Sequence, residues 1–298
     1  MRGAAVMHRK TDRLLTSFAW FSGAAVVGSV LILVTFLVLR GIGSLNAELF
    51  FGDTPWRDAM IGKKPVFDGI WPAVAGTSLL VVLSSMLAIP VGIASGVYLS
   101  EYASSRARGM LELPIDLLSG TPSIVMGLFG FTLILFLRKT FLPEARTCLL
   151  LAGVCIGLLV LPYVIRTTQT SMEAVPDPFR MLGPAVGLTK AQCVRHVLLP
   201  QASRGILSGV ILSIGRASED TAVILLTGAV ARAGVPRSLS DKFEALPFRI
   251  YYIAAEHRTS VELEQGYGTA LVLLGLTGIL FFIAFILQRS AERKWQSK

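Results

Sequence analysis

The chain has 298 residues, 53% of them hydrophobic and 16% charged, with a mean hydropathy of +0.65. Soluble domains carry about 25% charged residues, so this composition excludes an ordinary cytosolic enzyme, a disordered chain and a disulfide-stapled secreted domain. The net charge of +9 sits in basic residues beside long apolar runs, as for charges held at a membrane surface, and no nucleic-acid footprint is expected.

About 20 helical residues cross the ~30 Å of hydrocarbon in a bilayer. Six apolar runs meet that length, at roughly 17–39, 71–99, 113–137, 148–165, 205–230 and 268–288. The first follows Arg2, Arg9, Lys10 and Arg13. It is longer than the h-region of a signal peptide and ends without a small-residue cleavage site, so it is expected to be retained as a span. Pro90 and Pro122 should bend or start the second and third helices. Six spans place both termini on one side. The basic flanks HRKTDR and QRSAERKWQSK put that side in the cytoplasm, although the Lys/Arg bias over all the connections is weak. The connection 166–204 is then cytoplasmic. Connections 40–70 and 231–267 are outside, the latter with an aromatic patch of Phe248, Tyr251 and Tyr252. The expectation is an all-α, polytopic membrane protein, with residues 1–298 forming one transmembrane domain.

Spans two and three carry Gly92, Ser95, Gly96, Gly120, Ser123, Gly127 and Gly130. Small residues let helices approach closely in lipid, and bundle packing accounts for them. Cys148, Cys155 and Cys193 are odd in number and lack metal-ligand spacing, and His8, His196 and His257 are far apart, so no metal site and no cofactor are expected. The chain has no G-x-x-x-x-G-K-[ST], no H-E-x-x-H and no G-x-S-x-G. It is not read as an enzyme, and any ATP hydrolysis belongs to a separate subunit.

Ionisable residues inside spans carry the chemistry. Each costs about 2.5–3.5 kcal/mol on insertion scales and persists where it faces a polar path or a partner. Arg216 falls near the middle of the fifth run, with Asp220 at i+4 and Glu219 at i+3 on the same helix face. The functional reading is an anion way-station: an arginine fork donates two parallel hydrogen bonds to the oxygens of an oxyanion, and an adjacent carboxylate would hold it in place and keep the anion from binding too tightly. The competing reading is a structural ion pair. Arg166, at the inner end of the fourth run, divides in the same way between an edge-snorkelling arginine and a lining of the path.

The segment 172–200 resembles the signature loop of permease subunits of bacterial ABC importers. Gly187 is followed by nine residues and then by Val197, Leu198, Leu199 and Pro200, which preserves the spacing of that motif. Its Glu-Ala-Ala triplet is replaced by Met181, Leu182 and Gly183. The resemblance implies a type I ABC importer permease fold with its core at about 70–290. It also implies an ATPase-coupling loop at about 166–204, in which Met181, Leu182, Gly183, Ala185, Gly187, Leu188, Leu199 and Pro200 meet the ATPase. Three stretches are similar to the phosphate-specific transport (Pst) permeases, PstA type: Asp116 to Gly130, Leu161 to Thr168, and Gly205 to Ala217. The last continues Ser218-Glu219-Asp220-Thr221-Ala222 where the family has Gly-Glu-Thr-Ala. Membership implies a multi-pass subunit of the bacterial cytoplasmic (inner) membrane. It also implies a second permease (PstC type), an ATPase dimer (PstB type), a phosphate-binding protein (PstS type), phosphate and surrounding membrane lipid. Two alternatives stay open: an importer for another oxyanion such as molybdate, tungstate or sulfate, and a gradient-driven transporter or channel without an ATPase.

Overall fold

The computed structural model describes residues 2–60, 66 and 69–296. Among the described residues every regular element is helical. Helix α1 (Arg2–Gly41) is apolar on all sides between Arg13 and Arg40, and none of its most apolar window is buried in the protein. Such a helix needs lipid around it. It touches the rest of the bundle at its end, where Gly41 lies against Tyr267 and Leu271. Two short helices follow, α2 (Ala47–Phe51), capped by the Asn46 side chain, and α3 (Trp56–Met60). Next come α4 (Trp71–Val97), which ends in a π-helical turn at Tyr98–Tyr102, α5 (Ser105–Ser119) and α6 (Ser123–Thr140). The second half holds α7 (Leu149–Glu173), α8 (Asp177–Ala185), α9 (Lys190–Cys193), a second π-helical turn at Val194–Leu198, and α10 (Leu199–Glu219). It closes with α11 (Ala222–Thr227), α12 (Leu246–Glu256) and α13 (Ser260–Gln296).

Among the described residues, six helical segments are long and apolar enough to cross a membrane, one for each expected run. Their limits differ from the expectation in three places. The third run, 113–137, is not one helix. Pro122 takes an extended conformation (φ −58°, ψ 141°), lacks an N–H and disfavours helix at the residue before it, so the span is α6 alone and α5 is a separate amphipathic helix. The fourth span continues to Glu173, and the expected loop 166–204 is therefore mostly helical: 166–173 complete α7 and 199–204 open α10. The fifth run, 205–230, is broken at Asp220, which is extended (φ −70°, ψ 120°) between α10 and α11.

Helix α7 is the centre of the bundle. Helix α4 runs parallel to it at close range: a Cβ on Gly92 would come within 2.6 Å of Val164 Cβ, and one on Gly96 within 2.6 Å of Thr168 Cβ. Helix α10 packs antiparallel on another face, with Gly205 against Ser171 and Gly209 against Thr167. The core between α4, α7 and α11 is built from Leu80, Val81, Ile156, Val160, Val223 and Ile224.

The segment 228–245 folds back over the start of α7. The N–H groups of Cys148, Leu149 and Leu150 donate to the carbonyls of Thr227 (3.0 Å), Asp241 (2.9 Å) and Leu239 (2.8 Å). A helix start leaves four N–H groups without intrahelical partners, and these carbonyls supply three of them. Phe243 anchors the segment with its side chain fully buried in the α4–α7 core. Truncating such an aromatic costs about 3–5 kcal/mol.

Candidate translocation site and coupling surface

Arg216 lies in the last turn of α10. The antiparallel register set by Gly205 on Ser171 and Gly209 on Thr167 carries it to the level of Val160, halfway along α7. The helix break therefore falls level with the middle of α7, with α10 ending there and the short α11 following. Arg216 is held by both carboxylates that follow it. Its Nη2 is 3.3 Å from Asp220 Oδ2 and its Nη1 is 3.5 Å from Glu219 Oε1. The two carboxylates differ sharply, for the Asp220 side chain is 2% exposed and that of Glu219 is 64% exposed. Asp220 also accepts a hydrogen bond from the Val223 N–H at 2.9 Å, so the residue that positions the guanidinium also caps α11. A cation in the last helical turn is favoured by the carbonyl end of the helix dipole. The guanidinium itself is about one-third exposed.

Arg166 is not brought to Arg216. By the same register it is level with Val210, six residues along α10 from Arg216, or about 9 Å at 1.5 Å per residue. It joins a network between α5 and α7. Its guanidinium pairs with Asp116, lies 3.3 Å from Glu112 and donates to Gln169 Oε1 at 3.1 Å. Arg108 bridges Glu112 (3.0 Å) and Glu173 (2.6 Å), and Gln169 donates to Glu112 at 2.9 Å. The Gln169 hydrogen bond and the Arg108 guanidinium hold the Glu112 carboxyl below its ordinary value. Sequence reasoning missed Arg108, Glu112, Asp116, Gln169 and Glu173. The signal was present, since 108, 112 and 116 repeat at i+4 and 166, 169 and 173 at i+3 and i+4, which stacks each set on one helix face.

Of the expected coupling-loop residues, Met181, Leu182, Gly183 and Ala185 lie on α8 and Gly187 and Leu188 directly follow it. Arg180 fastens this helix inward: its guanidinium pairs with Glu101 (2.7 Å) at the end of the α4 span and donates to the Met172 carbonyl (2.6 Å) of α7. Gly183 is buried against Cys193 of α9, and a Cβ there would meet Sγ at 2.5 Å. The opposite side exposes Met181, Leu182, Ala185 and Val186. Gly187 closes α8 with φ +75°, a left-handed conformation open to glycine at little cost. Thr189 and Gln192 then form a capping box that starts α9. Leu188 is half-buried, and Leu199 and Pro200 lie in the first turn of α10.

The family model for the binding-protein-dependent transport system inner membrane component matches residues 88–297. The chain belongs to this family. Among curated relatives, this permease is 29% identical over 256 residues to the phosphate transport system permease protein PstA of Pasteurella multocida, covering 85% of this chain and 86% of the relative. It is 26% identical over 285 residues to PstA 2 of Mycobacterium bovis, covering 95% and 91%. A solved structure of the MetNI methionine ABC transporter in an inward-facing conformation matches with a TM-score of 0.52 at 16% identity, over 81% of this chain and 99% of that one. The permease thus has the type I ABC importer permease fold, as its sequence led us to expect.

Proposed function

We propose that this permease is the PstA-type subunit of an ATP-driven phosphate importer and forms the translocation path with a second permease of the PstC type. The single observation that carries the reading is the guanidinium of Arg216, fixed at mid-depth by a buried aspartate yet part exposed, in a chain whose curated relatives are phosphate transport permeases. A fixed arginine fork is the side chain best matched to two oxygens of a phosphate. Arg166 faces the same path nearer its inner end, with part of its guanidinium committed to the α5–α7 network.

In this reading both termini are cytoplasmic, and α8 is a coupling helix. The exposed face of Met181, Leu182, Ala185 and Val186 docks on one subunit of a PstB-type ATPase dimer, where ATP is hydrolysed, and Gly187 sets the turn. Because Arg180 ties α8 both to the end of the α4 span and to α7, movement of the docked helix is passed directly to the bundle centre. The opposite end of α7 faces outward. There a cleft of about 580 Å³, lined by Arg232, Glu244, Arg249, His257 and Arg258 among others, receives phosphate from a PstS-type binding protein. Burial raises the Glu244 carboxyl above its ordinary value against the opposing pull of Arg249.

The test is uptake of labelled phosphate, sulfate and molybdate in cells whose only route is this transporter. Uptake of phosphate alone supports the proposal. Preference for sulfate or molybdate makes it an importer for another oxyanion, and uptake without any ATPase subunit overturns the ABC reading.

A further inference from the structure

We propose that Glu219 is an internal competitor for the transported anion at Arg216, a tethered carboxylate that the anion displaces on arrival and that reoccupies the guanidinium as the anion leaves. This rests on the reading of Arg216 as a substrate-handling residue.

The two carboxylates on Arg216 are unequal partners. Asp220 is buried, and its second oxygen is committed to the Val223 N–H. It cannot leave without uncapping α11 and stranding a buried charge. The Glu219 side chain is 64% exposed, reaches Nη1 at 3.5 Å, the outer limit of a hydrogen bond, and its carboxylate makes no other hydrogen bond among the described residues. Bidentate capture of an oxyanion needs two N–H groups of the fork, and the Nη1 edge is the one that Glu219 covers loosely. With both carboxylates ionised the cluster carries a net charge of −1, one guanidinium against two carboxylates, and repels an anion. With Glu219 swung into solvent the remaining pair is neutral, and the fork is free on one edge. The separation of Glu219 from Arg216 by one helical turn means that the competitor never diffuses away. An anion on the fork is therefore under constant replacement, which suits a way-station more than a store.

The experiment uses the importer assembled with its second permease and ATPases in lipid nanodiscs, without nucleotide, and measures equilibrium binding of radiolabelled inorganic phosphate. Glu219→Gln removes the charge, and Glu219→Ser removes both the charge and the reach. Both should bind phosphate roughly 2- to 5-fold tighter than the unsubstituted importer, the worth of an exposed ion pair, while Arg216→Gln binds none. Unchanged affinity in both Glu219 variants, with Arg216→Gln still null, overturns the competitor role and leaves the Arg216 reading standing. Full binding by Arg216→Gln overturns both. Loss of the second permease on purification of the Glu219 variants also overturns the proposal, because it makes Glu219 an interface residue.

Discussion

Gly187 offers a clean test of how α8 is presented. Its φ is +75°, and a Cβ built there meets nothing within 4 Å. The whole cost of a substitution is therefore backbone strain, with no clash to confuse it. A side chain in the left-handed region costs about 1–2 kcal/mol, less for asparagine and more for a β-branched residue. At 1.4 kcal/mol per tenfold, that strain shifts the turn by about 5- to 30-fold away from the conformation that joins α8 to α9. The rest of the bundle does not depend on this turn, so Gly187→Val should still insert and co-purify with the second permease. Phosphate uptake should fall in the order Gly, Asn, Ala, Val, and stimulation of the ATPase by the binding protein should fall with it. Measuring both in membranes matched for subunit content separates coupling from expression. Wild-type uptake by Gly187→Val, or an Asn variant as impaired as Val, would refute the reasoning that the left-handed turn sets the presentation of α8.

Four further outcomes are expected. Arg216→Lys keeps the charge and loses the fork, so it should retain partial phosphate uptake, whereas Arg216→Gln should lose nearly all of it with assembly intact. Full uptake by a double variant with apolar residues at 216 and 220 would reduce the pair to packing. Gly183→Ala forces a Cβ into Cys193 and should destabilise the permease by about 1–3 kcal/mol, the usual cost of overpacking; adding Cys193→Ala removes the Sγ overlap and should restore part of the melting temperature. Glu112, whose carboxyl is held below its ordinary value, contributes stability that is present above the ordinary carboxylate range and lost as pH falls through and below it. The melting temperature of Glu112→Gln should thus lie below wild type at pH 7 and meet it in acid, and a gap that persists in acid would contradict this. A reporter active only in the cytoplasm should signal when fused after Lys298 and stay silent when fused after His257; a signal at His257 would invert the topology.

The spans were legible because lipid leaves a long, unbroken mark on composition. The start of α6 at Pro122 was legible because proline constrains the backbone locally. The break at Asp220 carries no such signature. Nothing in Ser218-Glu219-Asp220-Thr221 prevents a helix, and the interruption is maintained by the pair to Arg216, the cap on Val223 and the packing of α11 on Gly127 of α6. Arg166 was read from its own neighbours, whereas its partners Glu112 and Asp116 stand on another helix. The Arg216 cluster was legible because its three members lie within one helical turn.

The carbonyls that complete the start of α7 belong to residues 227, 239 and 241, which the ribosome makes only after α8, α9 and α10. Helix α7 therefore enters the membrane with its first amides still seeking partners and must wait for the rest of the chain to arrive. Chains cut short before Asp241 should therefore insert α7 but leave its first amides without these partners, and be ready substrates for membrane proteases. The order of synthesis thus leaves the start of the central helix to be completed about 90 residues after it is made, by a segment that follows α10.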